Sequence, residues 1–106
     1  MKDISYKNVK VTDGFWKIKQ DMINDVTLKS VYDRFEETHR FSALDCAWKE
    51  GDPNVPHVFW DSDIAKWLEG LAYTLSFYKN DELEKIADES IEKIIKNSDE
   101  NGYYNS

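Results

Sequence analysis

Two carboxylates two residues apart, Asp61 and Asp63, are the most obvious chemistry-bearing pair in this sequence. Glycoside hydrolysis commonly uses two carboxyl groups roughly 5–10 Å apart, facing one another across the sugar. Residues at i and i+2 at the start of a helix diverge instead, so Asp61 and Asp63 are not read as a catalytic pair. With Ser62 they are good N-cap or first-turn residues, because their oxygens accept from free backbone N–H groups and suit the positive helix end. They are also candidates to hydrogen-bond a sugar hydroxyl, and capping does not exclude that. Trp60, just before them, and Trp48 are the best candidates for stacking on a sugar ring. His39 and His57 lack the spacing of a metal-binding helix pair, and an ordinary loop histidine is the plainer reading of His57. Cys46 has no readable base or cationic partner, so it is expected to be a buried, inert thiol. No glycine-rich phosphate loop, nucleophile elbow or basic stripe is present.

These residues stand at the entrance to a helix. Ile64, Trp67, Leu68, Leu71, Ala72 and Leu75 recur at helical spacing and form one apolar face. Trp67 lies on that face and is expected in the core. Gly70 lies inside the helix at a cost of about 1 kcal/mol relative to alanine, which predicts a closely packed neighbour. Lys79-Asn80-Asp81 then links to a last helix, with Asn80 or Asp81 as its cap and Leu83, Ile86, Ala87, Ser90, Ile91, Ile94 and Ile95 as its apolar stripe. The short link predicts an antiparallel hairpin. Upstream, Thr12-Asp13-Gly14 signals a helix start. Phe15, Ile18, Met22 and Val26 share one stripe of that helix, and Lys29–Thr38 carries Val31, Tyr32 and Phe35. The Val26-Thr27-Leu28 stretch, β-branched at its first two residues, breaks the register between them, and the pattern leaves open one bent helix or two. Glu36, Glu37 and Arg40 read as a solvated charged face. Ala43–Trp48 is a candidate short helix, and the irregular connection over 39–58 is long enough to be functional. Residues 1–13 form an extended arm, β-like over Tyr6–Val11, which must pair with something beyond this chain or lie along the helices.

The totals set bounds. A chain of 106 residues is one domain at most. Fourteen basic against 21 acidic residues give a net charge of −7, which argues against nucleic acid or an anionic membrane as partner. One cysteine excludes an internal disulfide framework and a cysteine-based metal cluster. The first residues lack the apolar core of a signal peptide, and no run approaches the ~20 apolar residues of a membrane span. These features lead to an expected cytoplasmic location. Four Trp, six Tyr and five Phe are a high aromatic share; such residues suit sugar platforms, although aromatic cores are commoner.

Several collinear motifs resemble glycoside hydrolase family 127. Phe59-Trp60-Asp61-Ser62-Asp63 followed by Lys66-Trp67-Leu68-Glu69 and Ala72-Tyr73 is the strongest match. Gly14-Phe15-Trp16, Arg34-Phe35-Glu36-Glu37-Thr38 with Arg40-Phe41, and Leu83-Glu84-Lys85-Ile86-Ala87-Asp88 lie in the same order. Asn101-Gly102-Tyr103 with Asn105 resembles the family's Asp-Gly-Tyr-Leu-Asn turn, with Asn101 replacing Asp and Tyr104 replacing Leu. The resemblance implies an all-α fold, with antiparallel helices forming the first part of an (α/α)6 barrel and an extended N-terminal arm. Residues 1–106 would be a single partial domain: the arm over 1–13, then the helical segment over 14–106.

The resemblance implies that the complete enzyme is a β-L-arabinofuranosidase, retaining and acting on terminal β-L-arabinofuranosides. Its nucleophile would be a zinc-bound cysteine. With one cysteine, this chain has no catalytic residue to carry over and no cofactor or metal site of its own; zinc belongs to the complete enzyme. If the central helix is an inner barrel helix, Trp60, Asp61, Ser62 and Asp63 sit at the substrate rim. The expected partners are an arabinoside carbohydrate and either the remaining enzyme domains or a second copy, because a partial barrel exposes apolar surface. The other class left open is a free-standing helical binding or assembly module without catalysis.

Overall fold

The computed structural model describes residues 2–106, and every regular element among them is helical. A single 3-10 turn, Tyr6–Asn8, interrupts the arm. No strand forms there; Tyr6 instead packs edge-on against Tyr73, 4.9 Å between ring centres. At Tyr6 the arm thus lies along the helix that carries Tyr73; Met1, counted in the arm, lies outside the described residues.

Helix α1 spans Gly14–Met22, a π-helical turn spans Ile23–Thr27, and α2 spans Leu28–Glu37. The broken register at Val26-Thr27 is thus resolved without breaking the rod. The wider turn absorbs the shift that a regular helix cannot, and Leu28 emerges on the buried side. The Leu28 carbonyl accepts from the indole Nε1 of Trp67 at 3.1 Å, which joins α2 to the middle of α3.

A short 3-10 turn, Ser42–Asp45, replaces the helix expected over 43–48. It ends at Cys46, whose φ of 50° is left-handed and cannot continue a right-handed helix. Helix α3 spans Trp60–Leu75 and α4 spans Asp81–Asn97. Asn80 caps α4, its side chain accepting from the Leu83 amide at 3.2 Å. The five-residue link joins one end of the pair, and the Ser106 amide reaches Asp61 at the other, so α3 and α4 run antiparallel as expected.

The core lies between α2, the 41–44 segment, α3 and α4. Leu44, Ile64, Leu71 and Leu83 are almost wholly buried, with Leu28, Phe41 and Trp67 around them. Burying each of these side chains is worth about 1.5–3 kcal/mol. Trp67 takes its expected core position, but Ala72 is exposed. Gly70 departs from expectation: an added Cβ would meet nothing within 4 Å. It borders an open, mainly apolar groove with Ile23, Tyr73 and Phe77, so no neighbour packs closely against it.

Helix α1 contributes no buried residue. Its apolar stripe looks outward: Phe15 is 62% and Ile18 63% exposed. On α4, Ile91 and Ile95 are exposed as well. The radius of gyration is 16.3 Å, against about 13 Å for a compact domain of this length. An elongated all-helical segment with exposed apolar side chains is consistent with part of an (α/α) barrel. No helix among the described residues is long and apolar enough to cross a membrane.

Candidate functional site

The entrance to α3 is built around Arg40. Helix α2 ends in a Schellman motif, with the Arg40 amide bonded to the Phe35 carbonyl at 2.9 Å and the His39 amide to Glu36 at 3.0 Å. His39 holds the left-handed position usual for glycine, φ 65°. This reversal turns Arg40 away from the charged face of α2 to which its spacing assigned it. Its Nε donates to Asp63 Oδ2 at 3.0 Å and its Nη1 to Thr38 Oγ1 at 2.6 Å. The guanidinium lies 5.0 Å from the ring centre of Phe35 and 5.6 Å from that of Trp60. The arginine therefore fixes both the first-turn carboxylate and the indole before it. Sequence spacing missed this role, because Arg40 follows Glu36 by four residues and looks like one more surface charge.

The sequence-predicted site residues divide between two sides of the helix start. Trp60, Ser62 and Asp63 line a 690 Å³ cleft with Arg40, His57 and Lys66. Asp61 turns the other way, as divergence at i and i+2 requires. Its Oδ2 accepts from the Ser106 amide at 2.9 Å, and its buried Oδ1 has no hydrogen-bond partner. Of the two placements open to these residues, N-cap or first turn, the structure shows the second. The helix begins at Trp60 with Phe59 as N-cap, so Asp61, Ser62 and Asp63 fall inside the first turn. Ser62 donates back to the Phe59 carbonyl at 2.9 Å. The two acids remain at the positive end of the helix.

Trp60 also borders a second cavity of 330 Å³, whose walls include Trp48, Pro53, Pro56, His39 and Asn54. Trp48 is oriented by its indole N–H, which donates to the Asp52 carbonyl at 3.1 Å. His57 is exposed; its Nδ1 accepts from the Phe59 amide at 3.3 Å.

Cys46 is exposed, contrary to the expected buried thiol, because the left-handed turn at its own position carries it out of the core. Its Sγ lies 3.8 Å from the Leu44 carbonyl and 3.9 Å from the Asn105 carbonyl. Burial, and then a hydrogen bond with Cys46, push the hydroxyl of Tyr104 well above the usual phenol range. Among the described residues no three His, Cys, Asp or Glu side chains converge as metal donors. A thiolate zinc site does not fit what this chain provides.

Comparisons with known proteins bear on the family of the chain. The family model described as β-L-arabinofuranosidase, GH127 catalytic domain, matches residues 8–106. The non-reducing end β-L-arabinofuranosidase of Bifidobacterium longum subsp. longum is 30% identical over 116 aligned positions, covering 91% of this chain and 18% of that protein. The chain thus spans about a fifth of the length of the curated relative it matches. No solved structure matches. With the match running from the arm to the last residue, the chain belongs to the β-L-arabinofuranosidase family of GH127 catalytic domains.

Proposed function

We propose that this chain is a rim-forming region of a β-L-arabinofuranosidase, inactive by itself. Trp60, Ser62 and Asp63 bind the terminal arabinoside, with Asp61 holding the chain beside them. The observation that carries the reading is the Arg40 clamp: a half-buried guanidinium fixes Trp60 and Asp63 on the wall of one cleft. An indole face and an oriented carboxylate suit the apolar face and the hydroxyls of a sugar. Retaining hydrolysis and zinc chemistry belong in this proposal to the complete enzyme, since one cysteine cannot supply a thiolate cluster. The same reading keeps a cytoplasmic location, which suits an unpaired, exposed cysteine.

Two measurements test it. The purified chain should release no nitrophenol from 4-nitrophenyl β-L-arabinofuranoside; turnover above background removes the claim of inactivity. A tryptophan-fluorescence titration with methyl β-L-arabinofuranoside should show a saturable change that Trp60→Ala abolishes. An unchanged response in that variant takes Trp60 out of the rim.

The outward apolar stripe of α1 favours a second reading, a helical assembly module without catalysis. The coding sequence past Ser106 separates the two. An open frame running into a cysteine-rich segment supports the enzyme, and an immediate stop codon supports the module.

A further inference from the structure

Resting on the rim reading above, we propose that the 330 Å³ cavity between Trp48 and Trp60 is a second saccharide subsite. It would take the ring next to the one held at the α3 entrance. Small-molecule sites run from about 300 to 1,000 Å³, so this cavity suits one sugar ring and not a longer chain. Its walls combine two indoles with the rings of Pro53 and Pro56, flat apolar surfaces that match the C–H face of a sugar. Around them, the side chains of His39 and Asn54 make no hydrogen bond among the described residues and can bond hydroxyl groups.

The walls are pre-set. The bond from Trp48 Nε1 to the Asp52 carbonyl and the bond from the Lys49 amide to Asp52 Oδ2, 3.0 Å, close a turn around the indole. His39 and Asn54 both hold left-handed backbone, φ 65° and 58°. At His39 this is the turn that ends α2, and at Asn54 it is a conformation asparagine adopts readily; both fix the course of the chain along the cavity wall. Trp60 lines both cavities, while Arg40 lines only the larger one. The shared indole therefore sits between two adjacent spaces, as a residue bridging successive rings of an oligosaccharide would.

The test is calorimetric titration of the full chain with methyl β-L-arabinofuranoside and with a β-linked arabinofuranose disaccharide. The disaccharide should bind about tenfold more tightly, roughly the 1.4 kcal/mol of one stacked ring. Trp48→Ala should cut that advantage to less than threefold and leave the monosaccharide Kd unchanged. Trp48→Phe, which keeps an aromatic face, should retain most of it. Equal affinity for the two sugars in the parent chain overturns the subsite alone. So does a Trp48→Ala variant that keeps the full advantage, or one that weakens both sugars equally. Binding of neither sugar overturns the rim reading and the subsite with it.

Discussion

Arg40 Nε stands 3.0 Å from Asp63 Oδ2 although the two residues are 23 positions apart. Their side chains are 24% and 30% exposed, between a surface ion pair and a buried one. Exposed pairs contribute about 0.2–1 kcal/mol, and partial burial with a second bond to Thr38 places this one near the upper end. Arg40→Ala also removes the packing against Phe35 and Trp60. We expect it to cost about 2 kcal/mol, and Asp63→Asn about 1 kcal/mol. In a double-mutant cycle by urea unfolding, the two should couple by about 1 kcal/mol. A coupling indistinguishable from zero would show that the contact does not organise the helix entrance.

Gly70 gives a prediction of the opposite sign. It lies inside α3, its φ is not left-handed, and a Cβ there meets nothing within 4 Å. Gly70→Ala should stabilise the isolated chain by about 0.5–1 kcal/mol, because alanine loses less backbone entropy on forming a helix. Thermal unfolding measures it directly. A destabilised variant would mean that a second chain or segment packs into the groove beside Gly70 in solution.

The helical scaffold was legible because periodicity reports on local geometry. The α3 stripe and the Asn80 cap both depend on neighbours within a few residues, and both are found where spacing places them, apart from the exposed Ala72. Arg40 was not legible: its role depends on a left-handed residue at His39, and histidine, unlike glycine, does not announce one. Cys46 was misread for the same reason. The α1 stripe exposes a different limit. Amphipathic spacing identifies a face that is to be buried, but not whether its partner lies within these 106 residues. Of the four candidate rim residues, sequence order grouped Trp60, Asp61, Ser62 and Asp63, whereas the helical turn sends Asp61 to the opposite side.

The tie between α1 and the end of α3 should titrate. Tyr78 donates its hydroxyl to Asp21 Oδ1 at 2.6 Å, and Lys17 pairs with the same carboxylate. The hydrogen bond from Lys17, and then that from Tyr78, hold the Asp21 carboxyl below its ordinary range. A depressed carboxyl binds its proton more weakly in the folded state. Its stabilising contribution is complete above the unfolded value of about 3.9 and is lost as pH falls through the lower folded value. Lys17 and Tyr78 are both raised, chiefly by their hydrogen bonds to Asp21. Their contributions are complete below their ordinary values and fade as pH rises through the raised ones. The carboxyl carbon of Asp21, followed by NMR, should titrate below the usual aspartate midpoint, and Asp21→Asn should flatten the acid side of the stability profile. An ordinary midpoint would mean that the pair does not persist in solution.

The outward face of α1 should drive association. Phe15, Ile18 and Val26 are each more than half exposed, Met22 joins them on the same stripe, and Trp16 is exposed beside it. Contiguous apolar surface of this kind marks an interaction site when a protein is otherwise soluble. The net charge of −7 opposes association, but Lys17 and Lys19 lie within the α1 segment and reduce the repulsion there. Sedimentation velocity should show a mass that rises with concentration from the micromolar range upward. Phe15→Lys with Ile18→Lys should return the chain to a monomer without loss of helical circular dichroism, because neither residue enters the core. If the parent chain stays monomeric throughout, the stripe tolerates water unaided. If the double variant associates as strongly as the parent, the contact lies elsewhere, and exposed Ile91 and Ile95 on α4 are the next surface to change.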